Sequence, residues 1–171
     1  GARTSSGALM LVVGVTAIAL GEIWFQMLAV FATAVMIWEL FRMIQPGADV
    51  PAMLLAAFTA SVISGLLATD ASTEFVLLFV PGAIGAALLP RERATFFLYA
   101  LAIATAGWGL VTLRDTYGAT WLFWLVLVVV TTDVAGYFAG RAFGGPKFWP
   151  AVSPKKTWSG TAAGWIGAGA V

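Results

Sequence analysis

The stretch ATWLFWLVLVVVTTDVAGYFA, residues 119–139, decides the fold. Its 21 residues would form a helix of about 31 Å, enough to cross a hydrocarbon core of about 30 Å. A single ionisable carboxylate, Asp133, interrupts it. The run does not alternate as a barrel strand would, and lipid leaves no partner for an unpaired backbone, so a helix is the form it takes.

Working outward, further apolar runs occupy residues 6–20, 23–44, 51–68, 75–89 and 94–113. Several are short enough for partial spans, which gives five to seven passes. Residues 160–171 read as a helix entering the membrane, and twelve residues cannot cross it. The expectation is an all-α, polytopic transmembrane helical bundle forming a single membrane-embedded domain over residues 1–171, with the protein continuing beyond Val171. Composition agrees. Of 171 residues 61% are hydrophobic and 10% charged, against about 25% charged in a soluble domain. That excludes a water-soluble fold and a disordered chain.

Charge sets the orientation. Arg3, Arg42, Arg91, Arg93, Arg141, Lys147, Lys155 and Lys156 fall on one side of the spans, and only Arg114 on the other, beside Glu22, Asp70, Glu74 and Asp115. Lys and Arg near short loops mark the cytoplasmic side, so the N-terminus and the 140–160 loop face the cytoplasm. The expected location is the bacterial cytoplasmic (inner) membrane. Net charge is +1, too small for nucleic-acid binding. Small residues at Gly65, Gly82, Gly85, Gly107, Gly109, Gly136 and Gly140 would allow close helix packing, as in any membrane bundle. Trp121 and Trp124 suit the outer interface, and Trp149 and Trp158 the cytoplasmic one.

The chain contains neither His nor Cys, so histidine bases, thiolate nucleophiles and zinc–thiolate sites are excluded within it. Chemistry must then run on carboxylates, Lys, Arg, hydroxyls and backbone groups, with a hard cation if any metal takes part.

Residues 131–164, TTDVAGYFAGRAFGGPKFWPAVSPKKTWSGTAAG, hold the candidate site. Asp133 lies four residues past the midpoint of the 119–139 run, about 9 Å below the cytoplasmic hydrocarbon edge. A charged Asp at a helix centre costs about 2.5 to 3.5 kcal/mol, somewhat less off-centre. A polar cavity or a cation would offset this; a structural hydrogen bond or a headgroup-level carboxylate is the plainer account. Gly136 and Gly140 leave the same helical face bare, and Tyr137 adds a hydroxyl at i+4.

After this helix come Arg141, Gly144-Gly145-Pro146, Lys147, Pro150, Ser153, Pro154, Lys155, Lys156 and Thr157, read as a shaped turn. Arg and Lys with hydroxyls and N–H groups form a cradle for phosphates. Thr157 or Ser159 is placed to cap a following helix, whose N-terminus favours anions. Composition supports equally a basic loop on anionic headgroups. The intramembrane Asp beside the cations favours phosphates bridged by a divalent metal.

The wording of this window resembles the phosphatidate cytidylyltransferases, or CDP-diacylglycerol synthases. That family carries an Asp-x-x-Ala-Tyr-like segment, Gly-Arg/Lys-x-x-Gly, then Ser-Pro-x-Lys-Thr-x-Glu-Gly. The matching positions are Asp133, Tyr137, Gly140, Arg141, Gly144, Lys147, Pro150, Ser153, Pro154, Lys156, Thr157 and Gly160. Trp38-Glu39 also resembles a Trp-Glu pair of an early family helix. Ser159 stands where the family has Glu, and Gly145 and Ala151 where some members have Lys. The family's Pro-Gly-His-Gly-Gly stretch and Asp-Arg-x-Asp ending are expected beyond residue 171, with further metal ligands.

The resemblance implies a Mg²⁺-dependent reaction of CTP with phosphatidic acid to give CDP-diacylglycerol and pyrophosphate. It implies Asp133 as a metal ligand, Lys156 and Arg141 as catalytic phosphate contacts, and Lys147, Ser153, Lys155, Thr157 and Tyr137 as substrate-binding residues. Glu39 either pairs with a cation or simply with Arg42 at i+3. A homodimer is compatible with such a bundle. Rival readings are a CTP-dependent transferase for another membrane lipid, a transporter component, and a structural subunit whose basic loop meets headgroups. No paired repeat supports the transporter, and the polar cluster lies off the midplane.

Overall fold

A computed structural model of the chain describes residues 2–69 and 74–171. Asp70, assigned above to the outer side, lies outside the described residues. The chain folds as two compact units, Gly1–Ala119 and Thr120–Val171. The protein is an all-α, polytopic transmembrane helical bundle. Among the described residues four helices are long and apolar enough to cross a membrane, by length and composition.

The first unit contains α1 (Ala2–Leu20), α2 (Glu22–Ile44), α3 (Asp49–Ala68), a 3-10 turn (Glu74–Leu78), α4 (Phe79–Leu88) and α5 (Arg93–Tyr117). Of these α2, α3 and α5 have spanning length. The α4 stretch is shorter: laid end to end, its 3-10 turn and helix reach about 25 Å. The tighter winding lengthens a segment that as pure α-helix would fall further short of the core thickness.

Packing in this unit centres on Ile37, Phe41, Ala52, Leu55, Leu89, Phe96 and Ala100, with a second cluster of Ile63, Leu66, Leu78 and Ala104. The rings of Phe41 and Phe96 meet edge to face at 5.7 Å, the arrangement that aromatic quadrupoles favour. Lipid tails are as apolar as these side chains, so close packing rather than water exclusion holds the helices together. Large apolar side chains such as Phe31, Leu54 and Leu98 are accordingly exposed, where lipid covers them. The buried hydroxyls of Thr33 and Thr59 each donate to the carbonyl four residues earlier at 2.8 Å, on Ala29 and Leu55. Those two buried hydroxyls are thus satisfied within their own helices, whereas the buried Trp38 Nε1 and Arg114 Nε have no hydrogen-bond partner among the described residues.

Two sequence expectations change here. Arg42 does not pair with Glu39: its Nε lies 2.7 Å from Asp49 Oδ1, and its guanidinium sits 4.7 Å above the Trp38 ring. The short turn after α2 returns Asp49 within reach, and the ring holds the cation on that side. Gly82, Gly85 and Gly107 do lie at close packing contacts, whereas Gly65 and Gly109 have no neighbour where a Cβ would be. A small residue permits a close crossing without requiring one.

The second unit holds most of α6 (Ala119–Phe143), then β1 (Lys147–Trp149), β2 (Ser153–Thr157) and α7 (Trp158–Ala170). Helix α6 runs past the expected end at Ala139 and through Arg141. Gly144 ends it, with φ at +59° and its N–H on the Gly140 carbonyl at 3.2 Å. Arg141 therefore belongs to the last turn of the helix, where a cation complements the dipole. The longer helix also moves Asp133 to two residues past its centre. The turn that follows is an antiparallel hairpin, pairing Lys147 with Thr157 and Trp149 with Ser153.

Candidate active site

On α6, Asp133, Tyr137 and Arg141 stand at i, i+4 and i+8, so they form one row on the helix surface. Thr132, Gly136 and Gly140 form the adjacent row. The two rows do different work. The glycine row receives α7, which runs antiparallel to α6: Gly160 lies against Gly136 and Gly140, Gly164 against Thr132, and Gly167 against Thr131. At the far end Trp124 Nε1 donates to the Val171 carbonyl at 3.2 Å. A Cβ on Gly160 would lie 2.5 Å from the Gly136 carbonyl oxygen, closer than any side chain tolerates. Glycine is required there by backbone contact.

The polar row remains open and forms one wall of a cavity of about 530 Å³. Thr132, Asp133, Gly136, Tyr137, Gly140 and Arg141 line it from α6, Lys155, Lys156 and Thr157 from β2, and Gly160, Thr161, Gly164 and Trp165 from α7. Asp133, Arg141, Lys155 and Lys156 are exposed on the chain, and Thr157 is buried at 6%. Three cations against one carboxylate leave the cavity electropositive.

Local bonds fix the walls. Arg141 Nη1 donates to Tyr137 Oη at 3.1 Å, which turns the guanidinium back along the helix in the direction helical side chains favour. Thr157 is the N-cap of α7, its Oγ1 accepting from the Gly160 N–H at 3.3 Å. Its hydroxyl also lies 3.1 Å from Ser159 Oγ, and Ser159 donates to the Gly144 carbonyl. Ser159, where the family pattern has Glu, therefore ties the end of α6 to the start of α7. The Trp158 N–H closes the hairpin base on the Pro146 carbonyl at 3.1 Å, and the Phe148 and Trp158 rings pack edge to face at 4.7 Å.

Of the residues singled out from sequence, the structure brings Asp133, Tyr137, Arg141, Lys155, Lys156 and Thr157 to one cavity. Lys147 and Ser153 do not line it; they sit on the hairpin opposite Thr157 and Trp149. Thr132, Thr161, Gly164 and Trp165 line it without having been singled out. For Thr161 and Trp165 the signal was the i, i+4 spacing from Thr157, readable only once α7 is set against α6.

The arrangement suits a multiply charged anion. Arg and Lys supply charge-assisted donors, and the first turn of α7 adds the positive end of a helix dipole. Among the described residues no three His, Cys, Asp or Glu side chains gather as a metal site, and Asp133 is the one carboxylate lining the cavity. One carboxylate together with substrate phosphates is nonetheless a ligand set that magnesium accepts.

Comparison with known proteins fits this chemistry. The chain is similar to the phosphatidate cytidylyltransferase of Brucella suis biovar 1, 52% identical over 50 residues, 29% of this chain and 18% of that protein. The enzyme of the same name from Bacillus subtilis is 44% identical over 50 residues, 29% of this chain and 19% of that one. That of Mycobacterium tuberculosis strain H37Rv is 34% identical over 74 residues, 43% and 23% of the two chains. The matched segments thus span less than a quarter of the length of these relatives. No solved structure matches the chain. The relatives are bacterial, and the protein is a multi-pass membrane protein of bacterial type. A match over residues 1–171 places the chain in the Cytidylyltransferase family, to which it belongs.

Proposed function

We propose, with that membership as premise, that the cavity between α6, β2 and α7 is the phosphate-binding part of a phosphatidate cytidylyltransferase site. The observation that carries the reading is the convergence of Asp133, Arg141, Lys155 and Lys156 on one cavity. The substrates are CTP and phosphatidic acid, and the products CDP-diacylglycerol and pyrophosphate. An ionised phosphate oxygen of the lipid attacks the α-phosphorus of CTP. The bond from that phosphorus to the oxygen bridging to the β-phosphate breaks, and pyrophosphate leaves with the electron pair. No general base is needed, because the attacking phosphate is already ionised near neutral pH.

Both reactants are anions, and negative charge builds on the leaving group. Fixed cations that meet this charge in the transition state lower the barrier. Lys156 and Arg141 hold the phosphates of the nucleotide, and Lys155 and Thr157 complete the binding wall. Tyr137 positions Arg141 through its hydroxyl. Lys147 and Ser153 act on the hairpin that carries the lysines rather than on substrate. Asp133 is the ligand this unit offers to Mg²⁺, which when bound supplies charge neutralisation on the phosphate oxygens. The cavity faces the cytoplasm, where CTP is found, and Asp133 sits deep enough for a lipid phosphate to reach it from the bilayer.

The test is pyrophosphate release by the complete protein in detergent micelles, with CTP, phosphatidic acid and Mg²⁺ supplied together and each omitted in turn. Release only when all three are present supports the reading. Release that persists in Lys156→Ala with wild-type kcat and KM would falsify the placement of the phosphates in this cavity.

A further inference from the structure

The tip of the hairpin has a composition that water does not favour. Residues 149–152 are Trp-Pro-Ala-Val, closed as a turn by the Val152 N–H on the Trp149 carbonyl at 3.1 Å. Such turns are ordinarily built from Gly, Asn, Asp and Ser; here Pro150 supplies the fixed φ and the other three residues are apolar. All four are exposed, Trp149 at 59% and Val152 at 73%. Phe148 is the ring that packs on Trp158. Trp149, its neighbour on the strand, is exposed where Phe148 is half-buried.

The surroundings of the tip are basic. Lys147 on β1 and Lys155 and Lys156 on β2 are exposed, and no Asp or Glu occurs from Val134 to Val171. The hairpin begins four residues after the end of α6, a helix of membrane-spanning length, and runs directly into α7. Chain continuity therefore holds it at the membrane surface.

We infer that the 149–152 tip is an interfacial wedge: Trp149 and Val152 enter the boundary between headgroups and acyl chains of the bilayer, and Lys147 beside them, which does not line the cavity, rests on anionic phospholipid headgroups. Trp is favoured at that depth, and Lys keeps its ammonium in the headgroup layer while its stem covers apolar surface. Basic segments beside a span are drawn to anionic lipid. Because β2 carries Lys155 and Lys156, the wedge holds the basic wall of the cavity at headgroup level. The wedge does not depend on the cavity's being an enzyme site.

The test uses the complete protein in vesicles of phosphatidylcholine and phosphatidylglycerol. Residues 1–171 contain no Cys, so Val152→Cys, with any cysteine elsewhere in the protein changed to Ser, carries a single environment-sensitive fluorophore. Lys147→Cys serves as the comparison position. The label at 152 should emit at shorter wavelength and lose most of its intensity to lipids bearing a nitroxide high on the acyl chain. The label at 147 should be quenched instead by aqueous iodide. Quenching at 152 by iodide and not by lipid nitroxide overturns the inference. Protection from both also overturns it, since the tip would then lie against protein, whether the rest of this chain or a second copy. Vesicles of phosphatidylcholine alone should weaken the lipid quenching, and indifference to lipid charge overturns the part given to Lys147.

Discussion

The Tyr137 hydroxyl accepts a hydrogen bond from Arg141 at 3.1 Å, one helical turn apart on α6. The bond ties the one polar aromatic of the row to its one guanidinium and aims the cation along the cavity wall toward Asp133. Nothing else among the bonded side chains of α6 fixes Arg141, so its orientation depends on that hydroxyl.

Tyr137→Phe should therefore release the guanidinium without altering the wall. The loss of one hydrogen bond is expected to raise KM for CTP about two- to tenfold, with kcat changed less. Steady-state kinetics at varied CTP will show it. An unchanged KM would remove Tyr137 as a positioning residue.

Asp133→Asn keeps the shape and removes the charge. A loss of about 2 to 4 kcal/mol in kcat/KM is expected, the scale of a lost electrostatic contact to a transition state. The thermal midpoint should hold, because the side chain is exposed and makes no ion pair among the described residues. Activity and differential scanning fluorimetry on the same preparation separate the two effects.

Glycine at 160 is required by contact with α6, and glycine at 65 is not. Gly160→Ala is expected to lower stability by about 1–3 kcal/mol, the range for forcing atoms into a packed contact. Gly65→Ala meets open space and should be neutral or slightly stabilising, since alanine favours a helix. Thermal midpoints in one detergent give the comparison. Equal effects would mean that the α6–α7 seam is not tightly packed.

Phe96 is fully buried and meets Phe41 edge to face. Phe96→Ala should destabilise by about 1–3 kcal/mol. This lies below the usual range for a soluble core, because lipid removes most of the transfer term and leaves the lost packing. Thermal unfolding in detergent reads the change. The variant should keep its affinity for CTP if the first unit serves only as scaffold.

Much of this was legible in the sequence, for identifiable reasons. Spanning helices are written as long apolar runs, and α2, α3, α5 and α6 were found that way. The pairing of Asp133 with Tyr137 follows from helical spacing alone. The end of α6 did not, because Arg141 looked like the start of a loop and the break lies at Gly144, whose positive φ is a property of the folded chain. The sequence shows a turn here and not a hairpin, since Lys-Phe-Trp and Ser-Pro-Lys-Lys-Thr are too short for a period of two to show. Arg42 had two carboxylates within reach, and only the path of the chain between α2 and α3 selects Asp49 over Glu39.

The contact of Gly160 with the Gly136 carbonyl has a consequence for how this pocket can evolve. Along that line its width is set by peptide groups that no substitution can thin. A change at Gly136, Gly140 or Gly160 can only add bulk. Variants accepting a larger ligand must therefore gain their room from the side chains of the other walls, among which Tyr137 and Trp165 carry rings to trim.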